Sequence, residues 1–305
     1  MIHSHDLIKK RILVVGANGM LGQRIIRFYK YHGNVELLAA SVEPAGADSE
    51  VPYAAMDLTR RDSVKEVVYD FFPDIIINAA AYTNVDQCER DRETAWKVNV
   101  KGPEYLAETA RIIDAHLVHI STDYVFDGSN GPYAEDDKPK PLGYYGRTKL
   151  ASENAVRLIG PVHTIVRTNV LYGPVRNGRP DFVRWVIDNL SAEKEIRIVV
   201  DQVNNPTFLD DLVQGIYRII EQKKQGIYNI GGLEFLSRFD FTLKIADFFK
   251  LRKDLIIPIE TSELNQLAPR PLNSGLITLK AETQIGYKPH TIKDTFLVMK
   301  KELGL

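Results

Sequence analysis

The chain has 305 residues, 44% hydrophobic and 26% charged, an ordinary globular composition that excludes a disordered or fibrous protein. Lys+Arg at 39 against Asp+Glu at 40 gives a formal charge of -1, so no basic surplus marks a nucleic-acid or anionic-membrane partner, and any phosphate must be met by a local site. A single cysteine, Cys88, rules out an internal disulfide and a thiolate zinc cluster, and no apolar run approaches the ~20 residues that span a bilayer.

Met1–Lys10 lacks the long apolar core of a secretory signal and is expected to fray, which makes a cytoplasmic location the simplest expectation. Arg11–Gly16 (RILVVG) reads as a buried strand, Met20–His32 as a helix, Val35–Val42 as a strand, Ser63–Phe72 as a helix and Asp74–Asn78 (DIIIN) as a strand. One long helical stretch covers roughly Glu89–Asp114, with Pro103 placed as a helix-start residue. His116–Ser121 follows as a strand, Tyr145–Leu158 as a helix and Val162–Arg167 as a strand. Strands that are near-continuous Val, Ile and Leu, alternating with helices, predict a Rossmann-type doubly wound parallel sheet of the α/β class. Past Arg167, Gly173-Pro174, Gly178–Pro180, Asn204–Pro206 and Gly231-Gly232 punctuate shorter elements, while Gly226–Ile230 (GIYNI) still reads as sheet. The expected division is a dinucleotide-binding domain over 1–168 plus about 208–232, and a smaller, loop-rich α/β substrate lobe over about 169–207 plus 233–305.

Gly16-Ala17-Asn18-Gly19-Met20-Leu21-Gly22 joins the first strand to the first helix. In that context one glycine permits the sharp exit from the strand, another lets the backbone approach a pyrophosphate, and the last allows close helix–strand packing. The helix N-terminus adds unpaired N–H groups and a positive dipole end. The second strand ends at Ser41-Val42-Glu43, beside the expected ribose 2′ position. Glu43 leans toward NAD, and Ser41 offers a phosphate contact, so NADH and NADPH both stay open. Asp57 and Leu58 are placed near the adenine, and Ala79, Ala80 and Ala81 are small enough to let a cofactor pass a strand end.

Tyr145 and Lys149 stand four residues apart, hence on one face of a helix. Tyr-x-x-x-Lys alone falls within chance for a chain with 14 tyrosines. Its context is what informs: Ser121-Thr122-Asp123 closes the preceding strand, at the carboxyl edge where open α/β sheets place ligands. Carbonyl reduction leaves an oxyanion that needs a proton, and a phenol can supply it. A Lys⁺ about 4 Å from a phenol is worth roughly 4 kcal/mol at an effective dielectric of ~20, enough to bring a group of ordinary pKa ~10 into working range. Thr122 would donate to the same carbonyl oxygen, and Lys149 would also hold the nicotinamide ribose.

These residues resemble the extended short-chain dehydrogenase/reductase family, and more narrowly its dTDP-4-dehydrorhamnose reductase group. The matching stretches are GANGMLGQ (Gly16–Gln23), NAAAYTNVDQCE (Asn78–Glu89), STDYVFDG (Ser121–Gly128), PLGYYGRTKLASE (Pro141–Glu153), RTNVLYG (Arg167–Gly173), DQVNNPT (Asp201–Thr207) and RPLNSGL (Arg270–Leu276). The resemblance implies an NAD(P)-dependent oxidoreductase that reduces the C4 ketone of dTDP-4-dehydro-L-rhamnose with NADH or NADPH. It implies catalytic roles for Thr122, Tyr145 and Lys149, with Asp123 close to the reacting sugar. It further implies cofactor contacts at Gly16, Asn18, Gly19, Met20, Leu21, Gly22, Ser41, Asp57, Leu58, Ala79, Ala80, Ala81, Tyr145 and Lys149, and substrate contacts at Thr83, Val85, Asp123, Val170, Asn204 and Arg270. A nucleotide-sugar partner and a homodimer follow from the same likeness, with neither nucleic acid nor membrane. Val170 stands where many such reductases carry a tryptophan, and Asn204-Asn205 where small residues are frequent, so another keto-sugar nucleotide, reduced or epimerised, stays open. So does a cofactor-binding regulatory role, since the β subunit of methionine adenosyltransferase resembles the same reductases. Some relatives hold magnesium at a dimer contact; no carboxylates match it here, and no metal is expected.

Of the remaining polar residues, Arg270 either meets a substrate diphosphate or pins a loop. Asn204 and Thr207 are read as lining the sugar site or forming turns. His116, His119 and Asn99 read as structural, and Glu135-Asp136-Asp137 as a solvated loop. Cys88, at an expected helix start, reads as somewhat activated but has no base.

Overall fold

A computed structural model describes residues 9–32, 34–175 and 180–304. The frayed start expected for Met1–Lys10 lies almost wholly outside the described residues, as does Gly178 of the expected Gly178–Pro180 turn.

The first half runs β1 (Lys10–Val15), α1 (Met20–His32), β2 (Val35–Ser41), β3 (Tyr53–Ala55), α2 (Arg61–Phe71) and β4 (Ile75–Asn78). Next come α3 (Val85–Arg90), α4 (Arg92–Trp96), α5 (Gly102–Ile113), β5 (His116–Thr122), α6 (Tyr144–Ile159) and β6 (His163–Thr168). The expected helix over Glu89–Asp114 is therefore three helices, and the reason is chemical. Asp91 caps α4 by accepting from the Thr94 N–H, Pro103 brings no N–H to the backbone ladder, and a π-helical turn, Lys97–Lys101, bridges the gap. The chain continues through β7 (Leu171–Tyr172), α7 (Phe182–Ser191), β8 (Ile196–Val199), β9 (Val203–Asn204), β10 (Thr207–Phe208), α8 (Leu209–Glu221) and β11 (Gly226–Ile230). It ends with β12 (Leu236–Ser237), α9 (Arg238–Phe249), β13 (Ile256–Ile259), α10 (Leu279–Ile285) and α11 (Ile292–Leu303). The region expected to be loop-rich thus carries α7, α9, α10 and α11, several opened by side-chain caps: Asp181 accepts from Arg184 N–H at 2.7 Å and Ser237 from Asp240 N–H at 2.9 Å.

Seven strands form one sheet in the order β11-β6-β5-β4-β1-β2-β3. β1 pairs in parallel with both β2 and β4, and β4 with β5. Chain order reverses between β1 and β4, because the chain first builds outward to β3 and then returns to β1's other side. That reversal leaves a crevice at the carboxyl ends of β1 and β4, the place where open sheets hold ligands. Ile12–Val15 and Ile75–Ile77 are buried, as strands covered on both faces require.

By backbone proximity the chain groups into two compact units. The first holds Met1–Ser121, Thr148–Val166 and Lys223–Gly226; the second holds Thr122–Arg147, Arg167–Gln222 and Ile227–Leu305. The first unit's core sets Leu13, Val15, Ile76 and Leu117 from the sheet against Val64, Val68, Leu106, Ala110 and Val156 from α2, α5 and α6. The second unit has its own core, in which Tyr172, Phe208, Phe241 and Phe296 pack with Val183, Leu190, Ile198 and Met299. The Tyr172 ring lies 5.6 Å from Phe208 and 5.2 Å from Phe241, centroid to centroid, and its hydroxyl reaches Thr295 Oγ1 at 2.9 Å. Among the described residues no helix is long and apolar enough to cross a membrane.

Candidate active site

In the first unit, the turn between β1 and α1 is shaped by backbone crowding. Gly16 has φ +78, and a Cβ there would stand 2.6 Å from the Ala80 nitrogen, so this turn and the loop after β4 approach too closely for any side chain. Gly16 and Ala17 donate backbone bonds to Ala40 O, and Gly19 donates to Gly16 O at 3.0 Å. Met20, Leu21 and Gly22 then open α1, whose first N–H groups have no carbonyl inside the helix to accept them. Asn18 ties the turn to the chain after β2. Its Nδ2 donates to Ala45 O at 2.9 Å and to Glu43 Oε2 at 3.1 Å, and its Oδ1 accepts from Ala47 N–H at 2.8 Å. Ser41 Oγ faces the Asn18 N–H at 3.4 Å. A glycine turn, an open helix N-terminus and the β1/β4 crevice fit a dinucleotide diphosphate, and Ser41 and Glu43 both bond to Asn18 of that turn.

The other expected cofactor residues are distributed around the same strand ends. Asp57 uses its Oδ1 locally, accepting from the N–H and hydroxyl of Thr59 at 2.9 and 2.7 Å, and Leu58 is buried in the first unit's core. Ala79 donates to Val15 O, and Ala80 to Asn78 Oδ1 at 3.2 Å. Of the expected substrate residues in this unit, Thr83 is exposed in the same loop and Val85 opens α3.

Lys149 lies in the first unit and is buried to 2% exposure, with Nζ donating to Ile120 O at 2.7 Å. Burial pushes its ammonium down to about 8, while the Glu153 charge pulls the other way. A chain of hydrogen bonds fixes this stretch of α6 to the sheet. Ser152 Oγ donates to Lys149 O at 2.7 Å, which leaves it to accept from His119 Nε2 at 2.9 Å. His119 Nδ1 must then accept from Asn78 Nδ2 at 3.2 Å, a single consistent proton assignment. Burial, and after it the Lys149 charge, hold the His119 imidazole well below its usual value, so it is a neutral strut. Ser121 Oγ donates to Glu153 Oε1 at 2.5 Å. From the π-helical turn, Asn99 Nδ2 reaches Thr148 Oγ1 at 3.1 Å and Tyr82 O at 3.1 Å. Both His119 and Asn99 are structural, as expected from the sequence. His116 is another such group, bonded to Thr164 Oγ1 at 2.9 Å and pushed down to about 4 by burial, then by the neighbouring His163 charge.

Thr122, Asp123 and Tyr145 belong to the second unit. Thr122 ends β5 and caps a short 3-10 turn, Asp123–Val125, its Oγ1 accepting from Tyr124 N–H at 3.2 Å and donating to Asp123 Oδ1 at 3.0 Å. Tyr124 also meets Tyr145 edge-on, with ring centroids 5.8 Å apart. One residue thus touches both the hydroxyl and the phenol singled out from the sequence. Gly146 makes the approach possible, because a Cβ there would overlap the Tyr124 carbonyl. α6 is continuous from Tyr144 to Ile159, so Tyr145 and Lys149 stand one helical turn apart on one face.

Asp123 is buried to 2% exposure, and burial pushes its carboxyl up to about 6 against the opposing hydrogen bonds from Ser274 and Thr122. Ser274 Oγ donates to Asp123 Oδ2 at 2.5 Å across 151 residues of chain. Ser274 was not singled out in the sequence; its only signal is membership of the RPLNSGL stretch. Asn205 was missed as well: it is buried, donates to Gly232 O and Leu276 O at 2.9 and 3.0 Å, and accepts from Leu276 N–H at 2.9 Å. Asn204 is half-buried in β9, Val170 is half-buried beside β7, and Arg270 Nη1 donates to Ala268 O at 2.8 Å, which is the loop-pinning contact.

Three expectations need correction. Thr207 is fully buried and accepts from Thr168 Oγ1 at 3.1 Å, so it lines no open surface. Glu135 is more than a solvated loop residue: its Oε1 accepts from Asn229 N–H at 2.9 Å and its carbonyl from Arg167 Nη1 at 3.1 Å. Cys88 is not activated; it is buried in α3, and burial, then Glu89 and Asp91, push its thiol up to about 11. No group of three or more metal-ligating side chains occurs among the described residues.

Residues 10–303 match the family model described as the RmlD substrate binding domain. A dTDP-4-dehydrorhamnose reductase of Aggregatibacter actinomycetemcomitans is 34% identical over 291 residues, which cover 92% of this chain and 94% of that protein. The crystal structure of a dTDP-4-dehydrorhamnose reductase from Bacillus anthracis in complex with NADP superposes with a TM-score of 0.86 at 30% identity, covering 97% of this chain and 100% of that one. Methionine adenosyltransferase 2 subunit beta of Xenopus tropicalis is 33% identical over 279 residues, 90% of this chain and 82% of that protein.

Proposed function

The chain belongs to the RmlD substrate binding domain family, and from that premise we propose that it is an NAD(P)H-dependent reductase of the C4 ketone of dTDP-4-dehydro-L-rhamnose, yielding dTDP-L-rhamnose. The observation that carries this reading is the Thr122–Tyr124–Tyr145 arrangement, a strand-end hydroxyl and a helix phenol both in contact with one tyrosine.

The β1–α1 turn, with Ser41 and Ala79–Ala81, holds the dinucleotide. The nicotinamide, when bound, supplies the hydride to the ketone carbon. Tyr145 gives its hydroxyl proton to the carbonyl oxygen. Lys149, four residues further along α6, favours the ionised phenol through its charge and holds the nicotinamide ribose. Thr122 orients the carbonyl oxygen. Its one proton rests on Asp123, so donation to substrate requires the hydroxyl to turn from Asp123, or Asp123 to carry a proton itself. A carboxyl pushed up to about 6 carries that proton far more often near neutrality than an ordinary one. Thr83, Val85, Val170, Asn204 and Arg270 are assigned to the nucleotide sugar. The dinucleotide-binding domain is 1–168 plus about 208–232 and the substrate lobe about 169–207 plus 233–305; the protein acts in the cytoplasm, as a homodimer.

The B. anthracis relative's NADP supports the cofactor class, and Glu43 beside Asn18 keeps NADH in play. Following cofactor absorbance with enzymatically prepared dTDP-4-dehydro-L-rhamnose tests the reading: oxidation of NADH or NADPH supports it, and no oxidation with either defeats it. A second reading, a cofactor-binding regulatory subunit, draws on the likeness to methionine adenosyltransferase 2 subunit beta. It predicts stable copurification with a synthetase and no turnover of any keto-sugar nucleotide.

A further inference from the structure

Glu153 is 1% exposed, as deeply buried as the lysine one helical turn before it, and the reading above gives it no task. α6 is continuous here, so Lys149 and Glu153 project from one face. Both side chains end at consecutive residues of β5: Lys149 Nζ donates to Ile120 O at 2.7 Å, and Glu153 Oε1 accepts from Ser121 Oγ at 2.5 Å. A buried carboxylate costs more than an apolar side chain of the same size would, so packing against the sheet does not account for it. An adjacent cation and a fixed hydroxyl donor do offset that cost.

The groups packed around this stretch differ in charge. From β5, His119 is neutral, bonded between Ser152 and Asn78. From the π-helical turn comes the uncharged Asn99 amide, on Thr148 Oγ1. β6, the next strand of the sheet, carries the buried cation Arg167, whose Nη1 donates to Glu135 O. Tyr145 precedes Lys149 by one turn on α6. Of these groups, Glu153 is the anion. Burial drives the Lys149 ammonium toward its neutral form, and the Glu153 charge acts against it.

We propose that Glu153, fixed by Ser121, is a positioning residue that keeps Lys149 protonated and directed at the end of β5. A neutral amine would favour no ionised phenol and would bring one N–H fewer to a ribose. The consequence for catalysis rests on the reductase reading above. The ionisation itself is read without turnover, which keeps the two apart.

Wild-type protein, Glu153→Gln and Glu153→Asp, each labelled with lysine carrying a heavy carbon isotope at Cε, are titrated by NMR, with the Lys149 signal identified by its loss in Lys149→Met. The Lys149 midpoint should fall by about one unit in Glu153→Gln, roughly a tenfold change in its protonation constant. It should fall by less in Glu153→Asp, which keeps the charge and shortens the reach. The alkaline limb of the rate with dTDP-4-dehydro-L-rhamnose should move down by the same amount. A merely structural Glu153 would lower the rate equally at every pH and leave the midpoint in place, and that result overturns the proposal. Should Glu153→Gln not fold, Glu153→Asp decides alone: a lowered midpoint supports the proposal and an unmoved one overturns it. A lowered midpoint in a protein whose wild type oxidises neither NADH nor NADPH supports the pairing and removes the reductase reading.

Discussion

The β1–α1 turn and the turn after β5 both lie at strand ends, yet they are built by opposite means. At Gly16 the geometry comes from backbone passing backbone, with no room for a Cβ beside Ala80, and backbone bonds to Ala40 O fix the turn. At Thr122 the geometry comes from side chains: Asp123 is held by Ser274 from 151 residues away, and Tyr124 spans to Tyr145. A backbone-built site is rigid and carries no titratable group. A side-chain-built turn can respond to pH, because its buried carboxyl is displaced from its ordinary ionisation.

The largest effect that sharpens this contrast comes from the α6 lysine. Lys149→Met should lower turnover about 10²- to 10³-fold, a general acid–base loss, and should also weaken dinucleotide binding, since Lys149 is assigned to the nicotinamide ribose. Because burial brings the ammonium down to about 8, the wild-type rate should fall as pH rises through about 8, and the variant's residual rate should lack that fall. A variant that keeps the same alkaline limb breaks the assignment.

Next in size is the aromatic core of the second unit. Phe296 is 1% exposed among Tyr172, Phe241, Phe248 and Phe249, and Phe296→Ala should cost about 3–5 kcal/mol in denaturant unfolding. A loss below about 1 kcal/mol would mean that this core is not close-packed.

Asp123 gives a signed prediction. Its carboxyl stands at about 6 against an ordinary 3.8, so the fold favours the protonated form; that stabilisation is complete below pH 3.8 and lost as pH rises through about 6. Asp123→Asn is neutral throughout. Its stability relative to wild type should therefore rise by about 3 kcal/mol between pH 3.5 and 7, and a difference that is flat with pH contradicts the buried-carboxyl account. The smallest effect expected is at the α9 cap: Ser237→Ala should cost about 1 kcal/mol of stability, measured as a shift in denaturation midpoint.

Much of the first region was legible because its causes are local. Hydrophobic runs announced β1, β4 and β5, and the glycines announced the tight turn between β1 and α1. The helix expected over Glu89–Asp114 failed where a cap and a proline interrupt the ladder, although both residues were visible. The second region hid its organisation because its partners are distant in sequence. Nothing in RPLNSGL says that Ser274 will meet Asp123, nor does FLSRFDF reveal that Arg238 will lie over Phe182. Cys88 misled for a related reason: position at a helix start suggested activation, but burial and two acidic neighbours decide its ionisation.

The account's central claim is that the Tyr145 phenol delivers the proton to the reduced carbonyl. Single-turnover reduction of dTDP-4-dehydro-L-rhamnose by Tyr145→Phe, with cofactor affinity measured on the same protein, tests it most directly. The account predicts a rate lower by about 10²- to 10⁴-fold with the cofactor Kd unchanged; a rate within about threefold of wild type, at equal cofactor saturation, would contradict it.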